Sequence, residues 1–393
     1  MVNVILAAPV RTPVAKFGQS LRNIPAPQLG ASIVSEILRR ARVPPEAVEE
    51  MIMGNVLSAG EGQNPARQAA LHAGIPPEVG AVTVNKVCGS GLKAVMLASQ
   101  AIRAGDASVV VAGGMESMSN APYLVRQARW GLRYGDVRLI DSMIYDGLWD
   151  AYRDFHMGMT GEIIAERYKI TREEADEFAY QSQMKALRAI REGWFKDEIL
   201  PVDVVTEEGQ RGKFEVDEGV RADTTKEKLG RLKPAFKPGG ILTAGNSSQL
   251  SDGAAGMLVL SEEAANRLKV RPVARVVAYG TGGCKPEHVM EAPIPTVRAL
   301  LQRTGFTIDD MDLVEHNEAY ATASVAVSRE LGVPPQRFNV HGGAVALGHP
   351  IGCSGARVLV TLLHALKRAD RRRGLATLCL GGGNAVAMIV ERR

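Results

Sequence analysis

Two cysteines occupy settings that suit a reactive thiol: Cys88 in Val87-Cys88-Gly89-Ser90-Gly91, and Cys379 in Leu378-Cys379-Leu380-Gly381-Gly382-Gly383. Glycine beside a reactive side chain lets a substrate approach the backbone and leaves main-chain N–H groups free to point at it. Between them lies a third glycine-flanked element, His341-Gly342-Gly343-Ala344-Val345-Ala346-Leu347-Gly348-His349-Pro350. The pattern is that of an enzyme working with two thiols and a histidine.

The spacing places Cys88 at a sharp junction between a strand and a helix, where the positive end of the helix dipole favours thiolate, the nucleophilic form. A small residue buried at a tight helix start is the plainer alternative. Proline restrains the backbone of His349 and glycine clears its approach, so it can act as a base or serve as a structural hydrogen-bonding group. His341, less restrained, reads as structural. The Cys379 thiol can face a cleft while the Gly381 N–H points at developing oxyanion charge; a core cysteine at a strand end is the alternative, and Cys353 and Cys284 read that way. Asn317, in Asn317-Glu318-Ala319-Tyr320-Ala321, opens a predicted helix running to Leu331 and is either its N-cap or a fixed dipole for water or an oxyanion. No Cys-x-x-Cys or His-x-x-x-His pairing offers a zinc knuckle. No Gly-x-Gly-x-x-Gly follows an early strand, so a dinucleotide site is excluded.

The elements that must position these residues occur twice. Gly74-Ile75-Pro76-Pro77 leads to Cys88-Gly89-Ser90-Gly91 and a helical pattern over 92–102; Gly332-Val333-Pro334-Pro335 leads to Gly352-Cys353-Ser354-Gly355 and a helical pattern over 357–366. Each helix is followed by a short apolar strand closing on paired glycines, Gly113-Gly114 and Gly381-Gly382. Upstream, Met51-Ile52-Met53-Gly54-Asn55 matches Leu313-Val314-Glu315-His316-Asn317. The expectation is an α/β protein of duplicated halves, with parallel sheets in each copy. Residues 1–119 with 250–269 would form the N-terminal half and residues 270–393 the C-terminal half. Residues 120–249, richer in arginine, aromatics and acidic runs, would be an inserted loop domain with a strong helix over 172–192 and a loop-rich stretch over 207–240.

A chain of 393 residues with a net charge of +4, spread without a basic stripe, excludes nucleic acid as a natural partner. Four cysteines are too few for a disulfide framework and suit a reducing compartment, so a cytoplasmic location is expected. Met1 to Pro9 lacks the basic start and length of a secretory signal. The uncharged run over 374–390 is short for a membrane span, and its glycines fit two strands about a tight turn.

Taken together, Asn85-Lys86-Val87-Cys88-Gly89-Ser90-Gly91, Gly113-Gly114-Met115-Glu116-Ser117-Met118-Ser119, Asn317-Glu318-Ala319-Tyr320-Ala321, Gly348-His349-Pro350-Ile351-Gly352 and Cys379-Leu380-Gly381-Gly382-Gly383 resemble the thiolase family, in order and over nearly the whole chain. The resemblance implies a thiolase-like fold of layered helices and mixed sheets. It implies that Cys88 takes an acyl group from acyl-CoA while His349 accepts its proton, and that Cys379 removes an α-proton from acetyl-CoA, whose carbanion attacks the thioester on Cys88. His349 with a water held by Asn317 would serve the enolate, and the N–H groups of Cys88 and Gly381 the tetrahedral adduct. Coenzyme A would contact Leu148, His156, Met157, Ala244, Ser248, Ala319 and Tyr320, with Arg221 near its nucleotide end. No metal or cofactor is implied, because coenzyme A thioesters are the substrates.

Residues 126–141 resemble the basic loop through which tetrameric acetyl-CoA acetyltransferases associate, which implies a homotetramer and favours acetyl-CoA, acetoacetyl-CoA and CoA as partners over longer acyl chains; a solvated basic surface is the plainer alternative. A broader 3-oxoacyl-CoA thiolase is the alternative. A ketosynthase of the wider fold would carry a second histidine where Cys379 stands, and a non-enzymatic acyl-CoA-binding relative would have lost a reactive position. Tyr320 in place of the usual phenylalanine, Asn384-Ala385 after the triple glycine, and His316 depart from the common pattern.

Overall fold

The computed structural model describes residues 2–205 and 209–393. Met1, at the head of the apolar start, and Glu207, where the loop-rich stretch was expected to begin, lie outside the described residues.

The strands run as a continuous sheet in the order Leu313–His316, Arg373–Leu380, Asn384–Arg392, Ala274–Gly283, Val4–Arg11, Ser251–Ser261, Val109–Ser117, Glu50–Gly54, Gly80–Val84. The join at its centre is short and antiparallel, pairing only Ile5 with Arg275 and Leu6 with Ala274. Each side of that join repeats the same arrangement, and where Gly80–Val84 lies beside Glu50–Gly54, the second side has a single parallel bridge from Phe338 to Val314. The duplication seen in the sequence is therefore a duplication of sheet order.

The sheets are mixed, which corrects the expectation of parallel ones. Glu50–Gly54 runs parallel to both its neighbours and Leu313–His316 parallel to Arg373–Leu380, but Arg373–Leu380 and Asn384–Arg392 are antiparallel. The cause is local: a tight turn through Gly381, Gly382 and Gly383, the last two with φ of 79° and 83°, can only reverse the chain.

Alternation along the strands builds the layers. In Val4–Arg11, Val4 and Leu6 face a central core; Ile5, Ala7 and Val10 face an outer one. The central core takes in the helices Ser90–Ala104 and Ile351–Arg368 and, from the other half, Leu378, Leu380, Val386, Met388 and Val390. Ala26–Ala41 and Pro65–His72 cover the outer face of the first half; Pro293–Thr304 and Ala321–Leu331 cover that of the second. The two central helices are thus sandwiched between sheets, and Ile351–Arg368 is buried continuously from Ile351 to Leu363, with Ser354, Arg357 and Thr361 among its otherwise mostly apolar side chains. They meet backbone to backbone. A Cβ on Gly91 would stand 2.7 Å from the Ala356 nitrogen, and one on Gly355 would strike the Leu92 backbone.

Residues between Ser117 and Ser251 form short hairpins and the helices Gly158–Tyr168, Arg172–Arg191 and Lys226–Gly230. Thr171 and Glu174 close a reciprocal capping box on the second of these. Trp130, Leu132, Tyr134 and Tyr152 are exposed there. Among the described residues, no helix is long and apolar enough to cross a membrane.

Candidate active site

The backbone that presents Cys88 is strained. Val87, β-branched, has φ of +47°, a left-handed conformation such residues avoid unless their surroundings impose it. Here Ser90 imposes it: its hydroxyl donates to the Val87 carbonyl at 2.6 Å and accepts the Lys86 N–H at 2.8 Å, closing the turn. Gly89 is required because a Cβ would collide with Leu380. The N–H groups of Gly381 and of Cys88 itself act on the Cys88 sulfur and favour thiolate, but burial outweighs them and pushes the thiol up to about 12. The free protein therefore carries a Cys88 thiol, not the thiolate expected from the helix dipole alone, because desolvation of the anion is the larger effect.

His349 is held by its backbone and both ring nitrogens. Its N–H donates to the Gln249 carbonyl at 3.0 Å and the Ser251 hydroxyl at 3.2 Å. Nδ1 lies 2.5 Å from Ser354 Oγ, and Nε2 lies 3.3 Å from Asn317 Nδ2. Gly348, at φ +109°, has no room for a Cβ beside Ser251 and Val14. Burial, with a smaller push from the Arg357 cation, lowers the imidazole to about 3, so it is neutral at rest.

Asn317 does not cap the helix that follows. That helix is Ala321–Leu331 with Tyr320 at its N-cap, because residues 317–320 form a turn closed by the Ala319 N–H on the Asn317 carbonyl at 3.0 Å. Asn339 brackets the neighbouring backbone: its oxygen accepts the His316 N–H at 2.8 Å, and its amide donates to the His316 carbonyl at 3.0 Å and to Glu318 at 2.8 Å. The Asn317 N–H donates to the Thr377 carbonyl at 3.2 Å, which sets the turn beside the strand bearing Cys379. Cys379 is buried in an apolar cluster with Met157, Ala319 and Tyr320, its thiol donating to Met290 Sδ at 3.6 Å. Burial pushes this thiol far above its ordinary range, and the nearby Cys88 pushes it further. Tyr320 feels both sulfurs.

The structure thus brings Cys88, Gly381, Cys379 and Tyr320 together and sets Asn317 against His349; Ile351, two residues beyond His349, packs in the same apolar cluster as Cys88 and Leu148. The Met157 N–H donates to the Leu148 carbonyl at 2.8 Å, His156 stacks on Phe236 at 5.0 Å, and the Ser248 N–H donates to the Ala319 carbonyl at 3.0 Å. Ala244 and Arg221 are exposed; the Arg221 N–H donates to the Gln183 side chain, whose amide donates to the Val345 carbonyl. Cys353 is buried in the central core and Cys284 is partly buried. His341 is buried beside Trp194 and Phe195.

Sequence reasoning missed several residues that hold this site. Glu116, fully buried, accepts from Asn55 at 3.0 Å, from the Leu57 N–H at 3.0 Å and from the Gly352 N–H at 2.7 Å, linking the end of Val109–Ser117 to the helix after His349. Glu318 accepts from Ser182 at 2.6 Å and the Val345 N–H at 3.2 Å. Both lay inside the quoted motifs; a carboxylate in an apolar, glycine-rich run had to find donors somewhere, and that was the available signal. Ser354 and Asn339 carried none. Among the described residues, no group of His, Cys, Asp and Glu is arranged to hold a metal ion.

Residues 4–263 match the thiolase N-terminal domain and residues 270–392 the thiolase C-terminal domain. The chain belongs to the thiolase family. It is 52% identical, over the full length of both chains, to a Pseudomonas aeruginosa protein named acetyl-CoA acetyltransferase. Its structure is similar to the crystal structure of the Bacillus anthracis acetyl-CoA acetyltransferase (TM-score 0.96, 42% identity, covering 100% of this chain and 99% of that one). It is equally similar to human mitochondrial 3-ketoacyl-CoA thiolase (TM-score 0.97, 40% identity, the same coverage).

Proposed function

We propose that this protein is an acetyl-CoA C-acetyltransferase that condenses two acetyl-CoA molecules to acetoacetyl-CoA and CoA, and runs the reverse thiolysis, through an acyl group on Cys88. What supports this reading is the pairing of Cys88 with Cys379, together with a neutral, buried His349 that faces Asn317 and is followed two residues on by Ile351, in the apolar cluster of Cys88.

In the first half-reaction Cys88 Sγ attacks the thioester carbonyl and its proton passes to His349 Nε2. The N–H groups of Cys88 and Gly381, already directed at the sulfur, receive the oxyanion. The adduct collapses, the C–S bond to coenzyme A breaks, and the leaving thiolate takes the proton from His349. In the second, the Cys379 thiol gives its proton to His349 and, as thiolate, takes the α-proton of acetyl-CoA, with the protonated His349 Nε2 and a water on Asn317 holding the enolate oxygen. The carbanion attacks the Cys88 thioester, the new C–C bond forms, and the expelled Cys88 thiolate regains a proton from His349, which leaves both sulfurs as thiols again. Two adjacent sulfurs in a dry site resist ionising together, which suits a pair that ionises one at a time.

Leu148, His156, Met157, Ala244, Ser248, Ala319 and Tyr320 would line the pantetheine arm, with Arg221 toward the nucleotide. The reaction needs no metal or cofactor. Residues 1–119 with 250–269, residues 120–249 and residues 270–393 are proposed as the N-terminal half, the inserted domain and the C-terminal half. Arginines and exposed aromatics over 126–141 support a homotetramer, a dimer of dimers, in the cytoplasm, without nucleic acid or membrane partners. The second reading, a 3-oxoacyl-CoA thiolase for longer chains in fatty-acid degradation, is favoured by the likeness to the human 3-ketoacyl-CoA enzyme.

Mass spectrometry after acetyl-CoA addition tests the mechanism. Cys88→Ala is expected to take up no acetyl group, and Cys379→Ala to become acetylated yet form no acetoacetyl-CoA; an acetyl group on another cysteine of Cys88→Ala refutes the assignment. Cleavage rates over a 3-oxoacyl-CoA chain-length series decide between the two readings, and a strong preference for long chains selects the second.

A further inference from the structure

We propose that Ser354 is the positioning residue that fixes the tautomer of His349, keeping the proton on Nδ1 and the lone pair of Nε2 open to the reacting thiol. The inference rests on the reading of His349 as the base for Cys88 and adds the group that makes it one.

The argument is an accounting of hydrogens. Ser354 Oγ has two neighbours: the Pro350 carbonyl at 2.8 Å and His349 Nδ1 at 2.5 Å. A hydroxyl has one hydrogen and a carbonyl can only accept, so that hydrogen goes to Pro350. Oγ then meets Nδ1 with a lone pair, and Nδ1 must supply the hydrogen. The opposite tautomer would set two lone pairs against each other at 2.5 Å in a buried site.

The other end of the ring cannot make this choice. Asn317 Nδ2 lies 3.3 Å from Nε2, while Asn317 Oδ1 has no partner, so turning the amide over would present an acceptor where a donor now stands. An amide serves either tautomer; the hydroxyl, committed to Pro350, serves one. The equivalent serine of the first half behaves alike: Ser90 also donates to a main-chain carbonyl and accepts an N–H. In the second half an imidazole N–H takes the place of the backbone N–H.

The consequence for the reaction is directional. With Nδ1–H fixed, Nε2 can only accept, which is what removal of the Cys88 proton requires. Once protonated, Nε2–H stands beside an amide whose oxygen can turn to accept it, and from there the proton passes to the departing thiolate.

The test uses the full-length enzyme with ¹⁵N-labelled histidine, the His349 signals being identified by their loss in His349→Ala. The intact protein is expected to show His349 protonated at Nδ1 and bare at Nε2 near neutral pH. Ser354→Ala is expected to lose that single-tautomer signature and to acetylate Cys88 roughly 10–100-fold more slowly, as loss of a histidine's supporting partner commonly does. Its KM for acetyl-CoA is expected to stay within about twofold, since no substrate contact is removed. Ser354→Thr, which keeps the hydroxyl, restores both readouts. A native protein with its proton on Nε2 overturns the proposal, and this holds even if Ser354→Ala fails to fold. So does a folded Ser354→Ala with the native signature and rate. If His349→Ala acetylates Cys88 at the native rate, the reading of His349 as base is what falls, while the tautomer measurement still judges Ser354.

Discussion

The two halves of the molecule place different side chains at equivalent points, and the difference separates holding from reacting. Asn55 and Asn317 follow equivalent strands, Glu50–Gly54 and Leu313–His316. Gly54 pairs with Gly114, and its counterpart His316 pairs with Thr377, so the register sets Glu116 of the first half against Cys379 of the second. The carboxylate is bound on both oxygens, to Asn55 and to main-chain N–H groups. The thiol, packed among apolar side chains, donates to a thioether. Likewise the Asn55 amide meets a carboxylate, whereas the Asn317 amide meets an imidazole that can change its charge. At these equivalent points one copy supplies a clamp and the other the groups proposed to react, with Cys88 itself standing in the first copy, and the clamp grips the second copy directly through the Gly352 N–H, three residues beyond His349.

The sharpest way to break this comparison is to truncate the two asparagines. Asn317→Ala is expected to slow condensation by roughly 100–1000-fold, the usual cost of one oxyanion donor, while leaving the unfolding transition nearly in place. Asn55→Ala should do the reverse, lowering stability by about 1 kcal/mol in urea titration through the lost bond to Glu116. Equal kinetic losses would mean that the halves are not divided as described.

The clamp is tested next. Burial pushes Glu116 up to about 7 against the N–H groups that favour its charge. Glu116→Gln would turn an amide NH₂ toward one of those donors, and a loss of about 2 kcal/mol in urea unfolding is expected from the hydrogen bond that cannot form. An unchanged midpoint would remove Glu116 from its structural role.

The smallest effect concerns the resting thiol. With Cys88 pushed up to about 12, the thiolate fraction of the free enzyme grows with pH throughout the accessible range. Iodoacetamide alkylation, followed by peptide mass spectrometry, is expected to accelerate about tenfold per pH unit between roughly 7 and 9. A plateau near neutrality would show a thiolate at rest and would return the helix dipole to the leading place.

The periodic parts of the fold were legible. Helices over 92–102, 357–366 and 172–192 appear as Ser90–Ala104, Ile351–Arg368 and Arg172–Arg191, since apolar spacing and glycine stops record burial directly. The duplication was legible for the same reason. Its register was not. Matching Gly113-Gly114 to Gly381-Gly382 by eye displaces the equivalence that strand pairing sets, because glycine in the first half accommodates a neighbouring strand while in the second it makes a turn. Strand direction depended on that turn as well. At the site, glycine marked where backbone approaches Cys88, Cys379 and His349, but the groups that fix the side chains, Glu116, Glu318, Asn339 and Ser354, act across large sequence separations or through a shared hydrogen, and local pattern carries neither.

The crossing of the two central helices has a mechanical meaning. Cys88 stands three residues before Gly91 and His349 six before Gly355, so the separation between the proposed nucleophile and the proposed proton acceptor is gauged by main chain resting on main chain. Rotamer hopping does not enter such a ruler, and a substituent as small as a methyl at either glycine would lengthen it.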